Sequence, residues 1–145
     1  MLLVDAEAAV SAAGPWEHLR ARDGWERPLG ATDDQCHLMV QAMESWFLAD
    51  RSALASFYGQ GFQEGSLPDN PRVEDVPKSD VLEGIAQASR NTQKGTYRKA
   101  THSFQILAAI DPGRVEAASP HARRFLDALR AQGADGSNQS GQRAT

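Results

Sequence analysis

A short apolar run that ends in two carboxylates stands near the start of this chain of 145 residues. The run is Leu2-Leu3-Val4, and the carboxylates are Asp5 and Glu7. Branched apolar residues in a short run predict a buried strand. Residues two apart on a strand point to the same face, so Asp5 and Glu7 would face one way. The run therefore predicts an α/β fold with a strand at the start of the chain.

Two carboxylates at a strand end also predict a candidate metal site. Ligands of open α/β sheets bind at the carboxyl ends of the strands, and carboxylate oxygens suit Mg²⁺. The same spacing is common in chains without a metal. The alternative for Asp5 and Glu7 is therefore a strand end whose carboxylates cap the next turn or face water.

Composition and charge limit the class of protein. With 41% hydrophobic residues the chain can form one globular domain with a core. The net charge of -4 gives no general basic field, so contact with nucleic acid requires a local basic patch. The single cysteine, Cys36, fits a reducing cytoplasm. The sequence contains no apolar stretch of the roughly 20 residues that a membrane span requires, and no signal peptide.

Helix and turn signals divide the first half of the chain. Pro15 predicts the start of a helix over residues 16–22, and residues 36–41 predict a second strand that continues into a helical stretch over 42–49. Asp50 predicts the N-cap of a helix over 51–58, and Gly59 predicts its end. Residues 59–77 hold several glycines and prolines and predict a long loop.

The second half of the chain predicts helices and then a tail. Ser79 and Thr101 predict helix caps, with Phe104 facing inward on the second of these helices. The pairs Asp111-Pro112 and Ser119-Pro120 predict two further helix starts. Gly133 predicts the end of the last helix, so the expected organisation is a domain over residues 1–130 and a disordered tail over 131–145.

Further candidate site residues are an acid and a basic segment. Glu44 lies among large apolar residues, where a carboxylate is expected to be paired or functional; the alternative is a solvent-facing position on an amphipathic helix. The segment over 90–102 contains no acid, and its candidate contacts to phosphate are Lys94, Arg98, Lys99 and His102. Tyr97 could stack on a base, whereas the alternative is an ordinary solvated loop. The spacing of cysteine and histidine matches no zinc motif.

A series of motifs along the chain resembles a bacterial family, the domain of unknown function 4276. The resemblance extends to about Leu129 and is carried by residues 3–7, Pro15-Trp16, residues 23–25, 33–41 and 43–50, Pro77-Lys78, residues 94–97, 102–104 and 119–124. That family is similar to TOPRIM domains, which support metal-dependent phosphodiester chemistry. The resemblance implies a small TOPRIM-like sheet packed by several helices, with Asp5 and Glu7 holding Mg²⁺ and Glu44 assisting catalysis.

The resemblance also implies limits on this chain. In the TOPRIM fold an early strand carries a glutamate, and that strand has no counterpart here, so the expectation is an incomplete sheet and a chain shortened at its start. The function expected is Mg²⁺-dependent phosphodiester cleavage or phosphoryl transfer, with this chain inactive by itself. The alternative is a non-catalytic subunit that contacts an ABC-type ATPase in bacterial defence. Nucleic acid and a second copy of the chain are the other partners expected.

Overall fold

The computed structural model describes the backbone of residues 1–141 and the side chains of residues 1–135. In this part the chain forms two strands, β1 (Leu2–Asp5) and β2 (Cys36–Met39), which pair in parallel with Leu2 opposite Cys36. The helix α1 (Pro15–Asp23) lies in the connection between them, as parallel strands require a long crossover. The α/β class is confirmed as a mixed, mostly helical fold with a small parallel sheet.

Six further helices follow β2 within the described residues. They are α2 (Met43–Phe47), α3 (Arg51–Tyr58), α4 (Lys78–Ser89), α5 (Lys99–Ala109), α6 (Pro112–Ala118) and α7 (Pro120–Gly141). Short 3-10 turns lie at Asp33–Gln35, Glu64–Ser66 and Val73–Asp75. Of the helices that the structure describes, none combines the length and the apolar character needed to cross a bilayer.

The side chains of the two strands alternate between two hydrophobic cores. The smaller core lies against α1 and contains Leu2, Val4, Trp16, Leu19, Cys36 and Leu38. The larger core receives Leu3 and Met39 and is built mainly from α2 to α5, with Phe47, Leu54, Ile85 and Ile106 fully buried. Because side chains on a strand alternate, Asp5 lies on the same face of β1 as Leu3, towards the larger core.

The helix α7 packs over β2. The ring of Phe125 lies 5.4 Å from the ring of His37 and 6.2 Å from that of Trp46. Arg124 Nη1 donates to the carbonyl oxygen of Cys36 at 3.0 Å. Burial, and to a smaller extent the Arg124 guanidinium, lowers the pKa of His37, which favours the neutral imidazole at neutral pH. The neutral ring can therefore pack in the core without a counter-ion.

Helix ends confirm some of the sequence-based predictions. Asp50 Oδ1 accepts from Ala53 N at 3.2 Å and caps α3, which Gly59 follows as predicted. Pro112 and Pro120 are the first residues of α6 and α7, again as predicted. These signals are local, because the capping side chain and the backbone group that it satisfies lie within a few residues of each other.

Other predicted helix ends are wrong. The helices α4 and α5 begin at Lys78 and Lys99, so Ser79 and Thr101 lie inside helices. A distant side chain anchors the first of these starts, since Gln41 Oε1 accepts from Lys78 N at 3.0 Å. Gly133 does not end α7, which continues to Gly141. The predicted tail over residues 131–145 therefore begins inside α7, and residues 142–145 lie outside the described part.

Candidate functional site

Asp5 ends β1 and faces the start of α2 and α5. Its Oδ1 accepts from Met43 N at 2.8 Å, and its Oδ2 accepts from Lys99 Nζ at 3.0 Å. The side chain is only 14% exposed, so the carboxylate sits in a partly closed position rather than in bulk water. The prediction that the end of β1 presents a carboxylate is therefore confirmed for Asp5.

Glu44 is a buried carboxylate on α2 that faces the same lysine. Tyr97 OH donates to Glu44 Oε1 at 2.9 Å, and Lys99 Nζ lies 3.9 Å from that oxygen. The second oxygen, Oε2, is buried and has no hydrogen-bond partner among the residues that the structure describes. Leaving a buried carboxyl oxygen without a partner is costly, so the described residues leave the bonding of Glu44 incomplete.

Lys99 and Tyr97 complete the group that we call the carboxylate–lysine site, defined as Asp5, Glu44, Tyr97 and Lys99. The hydrogen bond to Asp5 raises the pKa of Lys99, and Glu44 acts in the same direction, so the ammonium is charged at neutral pH. Burial and then the charge of Glu44 raise the pKa of Tyr97, so the phenol remains a neutral donor. The site therefore combines two anionic side chains, one cation and one neutral hydroxyl.

Glu7 has a different environment from Asp5. Because β1 ends at Asp5, Glu7 is not part of the strand, and its φ of 69° lies in the left-handed region. The expectation that strand alternation would align Glu7 with Asp5 is therefore wrong. Glu7 accepts a hydrogen bond from Lys78 Nζ at the start of α4, and its backbone N donates to Gln41 O at 2.6 Å.

The four candidate phosphate contacts of the predicted basic segment lie in different environments. Lys94 Nζ lies 5.1 Å from the centre of the Phe57 ring, and Arg98 is exposed. His102 is buried, and its Nδ1 accepts from Tyr58 OH at 3.1 Å and from Arg98 N at 3.3 Å. Burial, together with the charges of Arg98 and Lys94, lowers the pKa of His102. Of the four predicted phosphate contacts, Lys99 is the one that joins the carboxylate–lysine site.

The chemistry of the site fits a hard divalent cation only in part. Within residues 1–135, no group of three or more His, Cys, Asp or Glu side chains lies together as a metal-binding cluster. Mg²⁺ needs no such cluster, because it is commonly held by one or two carboxylates and keeps several waters. Asp5 and Glu44 offer two carboxylates beside one cation, and Glu44 Oε2 has no hydrogen-bond partner among the described residues.

A second polar cluster joins α7 to the turn before α4. Glu74 Oε2 accepts from Ser119 Oγ at 2.5 Å and from His121 N at 3.0 Å, and Glu74 Oε1 lies 2.7 Å from His121 Nδ1. Ser119 Oγ also accepts from Ala122 N at 3.2 Å, which makes it a cap of α7. Serine and histidine both bind the glutamate rather than each other, so this is a helix-anchoring cluster and not a nucleophile–base pair.

Comparison with known proteins places this chain in a family. A family model described as a domain of unknown function (DUF4276) matches residues 1–130, and the chain belongs to that family. No curated protein and no solved structure matches the chain. The match includes all four residues of the carboxylate–lysine site, as well as Glu7 and Lys78.

Proposed function

We propose that this chain is a TOPRIM-like domain that performs Mg²⁺-dependent phosphodiester cleavage or phosphoryl transfer. The observation that supports the proposal best is the meeting of Asp5, Glu44 and Lys99 at the carboxyl end of a parallel strand. Ligand sites of α/β folds lie at this end of the strands. Carboxylates beside a lysine suit a reaction in which a cation and an ammonium both meet phosphate oxygens.

Each side chain has a distinct role in this proposal. Asp5 supplies one oxygen ligand, and the second comes from Glu7, as the sequence predicts, or from Glu44. Tyr97 holds Glu44 in place through its hydroxyl. Lys99 binds a phosphate oxygen, while the exposed Lys94 and Arg98 contact the flanking backbone of a nucleic acid. Mg²⁺, when bound, would neutralise charge that develops on the phosphate.

Cleavage assays test this proposal. The chain is incubated with labelled single-stranded and double-stranded DNA and RNA, with Mg²⁺ or Mn²⁺ and with a chelator as control. The resemblance alone implies an inactive chain, but the meeting of Asp5, Glu44 and Lys99 leads us to expect metal-dependent cleavage. Asp5→Asn should reduce this cleavage by about a hundredfold or more, because one ligand is lost. The matched control is Asp69→Asn, which neutralises an exposed carboxylate away from the site. Equal cleavage by the wild type and Asp5→Asn would contradict the proposal.

A second candidate function is a non-catalytic subunit that binds an ATPase of the ATP-binding-cassette type. The observation that favours it is an exposed apolar loop between α1 and β2, where Trp25 is 42% exposed and Leu29 is fully exposed. Large exposed apolar side chains are typical of interaction sites. Size-exclusion chromatography of the chain with such an ATPase tests it. Comigration that is abolished by Trp25→Ser with Leu29→Ser would support the interaction, and no comigration would count against it.

A further inference from the structure

The unsatisfied oxygen of Glu44 distinguishes this residue from the other carboxylates near the sheet. Glu44 is buried, its Oε1 accepts from Tyr97 OH, and its Oε2 has no hydrogen-bond partner in the described part of the chain. Burying a charged oxygen without a partner is unfavourable, whereas a bound cation would satisfy it. Glu44 is therefore a carboxylate of this site whose bonding the described residues leave incomplete.

The ammonium of Lys99 occupies a central position in the carboxylate–lysine site. It lies 3.0 Å from Asp5 Oδ2 and 3.9 Å from Glu44 Oε1, so one positive charge forms ion pairs with both carboxylates. The lysine side chain is 55% exposed, and its stem is flexible. It can therefore leave this position without disturbing the core.

Glu7 does not share this arrangement. It follows the end of β1 with a φ of 69°, and its carboxylate is engaged by Lys78 of α4 instead of Lys99. Its side chain is also more exposed than that of Asp5. A cation that bound Asp5 and Glu7 together would have to break a second ion pair and would leave Glu44 Oε2 unsatisfied.

We propose that Asp5 and Glu44 form the pair that holds a divalent cation, and that Lys99 is a resident counter-ion which the cation displaces. The inference rests on the proposed function for the choice of cation, and it specifies which side chains bind it. Two carboxylates and several waters are an ordinary set of Mg²⁺ ligands. Once displaced, the exposed Lys99 ammonium lies beside the cation and contacts an anionic group of the substrate.

The displacement predicts opposite effects for substitutions on the two sides of the site. Glu44→Gln and Asp5→Asn should each weaken cation binding by about tenfold or more, because a charged ligand is lost. Lys99→Gln should tighten it by about tenfold, because a competing positive charge 3 to 4 Å from both carboxylates disappears. Glu7→Gln should change the affinity by no more than about twofold, as should the matched surface control Asp69→Asn.

Binding of Tb³⁺ to the whole chain tests the inference without any activity assay. Tb³⁺ prefers carboxylate oxygens, and aromatic excitation sensitises its emission; Tyr97 lies directly on Glu44. Titration gives the affinity for Tb³⁺, and competition by Mg²⁺ gives that for Mg²⁺. Circular dichroism verifies the fold of each variant. If Glu44→Gln fails to fold, Lys99→Gln and Glu7→Gln decide the question, because both residues are partly or largely exposed.

The possible outcomes separate this inference from the proposed function. Tighter binding by Lys99→Gln and unchanged binding by Glu7→Gln support the Asp5–Glu44 pair, even if no nucleic acid is cleaved. Weakening by Glu7→Gln as large as that by Asp5→Asn overturns the inference. Unchanged or weaker binding by Lys99→Gln also overturns it, as does the absence of saturable binding. Metal-dependent cleavage could persist in each of these cases and would leave the proposed function standing.

Discussion

Asp50 is a buried carboxylate whose two oxygens accept hydrogen bonds at the starts of two different helices. Its Oδ1 caps α3 by accepting from Ala53 N at 3.2 Å. Its Oδ2 accepts from Asp111 N at 2.9 Å, at the start of α6. Arg114, on α6, lies 3.9 Å from Oδ1. One side chain therefore fixes the start of α3 relative to the start of α6.

Replacement of Asp50 tests this double role. We expect Asp50→Ala to lower the free energy of unfolding by about 2 to 4 kcal/mol, because a cap and a second buried hydrogen bond are both lost. Urea denaturation followed by circular dichroism measures the change. The control Asp69→Ala removes an exposed carboxylate and should stay within about 0.5 kcal/mol of wild type. An equally small effect of Asp50→Ala would show that it does not join the helices.

Glu74 is the residue whose protonation should couple stability to pH. Burial alone would raise the pKa of Glu74, but hydrogen bonds from His121 and Ser119 outweigh it and hold the pKa below its ordinary value. A carboxyl with a lower pKa in the folded state adds stability above its unfolded pKa, near about 4.3. This stability is lost as the pH falls through the folded pKa.

The pH dependence of unfolding therefore distinguishes Glu74→Gln from the wild type. Between about pH 5 and about pH 3 we expect the stability of the wild type to fall more steeply, because only the wild type must protonate this carboxyl. Near neutral pH, Glu74→Gln should be the less stable protein, since it loses charge-assisted hydrogen bonds. Urea denaturation at several pH values measures both effects. Parallel curves for the two proteins would contradict the role of Glu74.

The helix α4 approaches the preceding loop so closely at Gly84 that a larger residue would not fit there. A Cβ on Gly84 would lie 2.7 Å from Pro68 Cδ and 3.1 Å from the carbonyl oxygen of Ser66. Proline is rigid and the oxygen belongs to the backbone, so neither can move cheaply. Gly84 therefore lets α4 pack directly on the preceding loop. In α7, by contrast, a Cβ on Gly133 would have no contact within 4 Å among the described atoms outside its own turn of the helix.

These two helical glycines predict substitutions of opposite sign. Gly84→Ala should destabilise the protein by about 1 to 3 kcal/mol, since overpacking exceeds the gain in helix propensity. Gly133→Ala should be neutral or stabilise it by up to about 1 kcal/mol, because only the propensity changes. Thermal and urea unfolding of both variants measure the effects. A stabilised Gly84→Ala protein would show that α4 does not approach the loop this closely.

The buried face of α5 differs from the face that the local sequence pattern predicts to be buried. The sequence pattern placed Phe104 inward, but its side chain is 71% exposed, whereas Ile106, His102 and Ser103 are buried. The helix begins at Lys99, and Arg98 N donates to His102 Nδ1 at its start. Histidine and serine count as polar residues in a periodicity argument, even where they are buried. The pattern therefore predicts that the large aromatic residue, and not these two, faces the core.

At the scale of the whole molecule, the sequence predicted some members of the site but not how they combine. Asp5 and Glu44 carried local signals, a strand end and an acid among apolar residues. Lys99 stood out as a basic residue, but its partner Asp5 is 94 residues away in the chain. The sequence suggests that Tyr97 stacks on a base, whereas in the structure its hydroxyl binds Glu44. Lys78 was not a site candidate, because no local pattern links it to Glu7.

The far end of α7 provides a test of how much of the chain the fold needs. The described side chains from Leu129 to residue 135 are exposed, whereas Phe125 packs on His37 and Trp46. Removal of residues 134–145 should therefore change the melting temperature by no more than about 2 °C, because little apolar area is lost.

A longer truncation is the matched control for this prediction. Removal of residues 125–145 deletes Phe125, and we expect it to lower the melting temperature by about 10 °C or more, or to prevent folding. Differential scanning calorimetry of both proteins, with light scattering to detect association, measures the difference. A loss of several degrees on removing residues 134–145 alone would mean that the end of α7 contributes to the core. The domain would then extend beyond residue 130, the last residue of the family match.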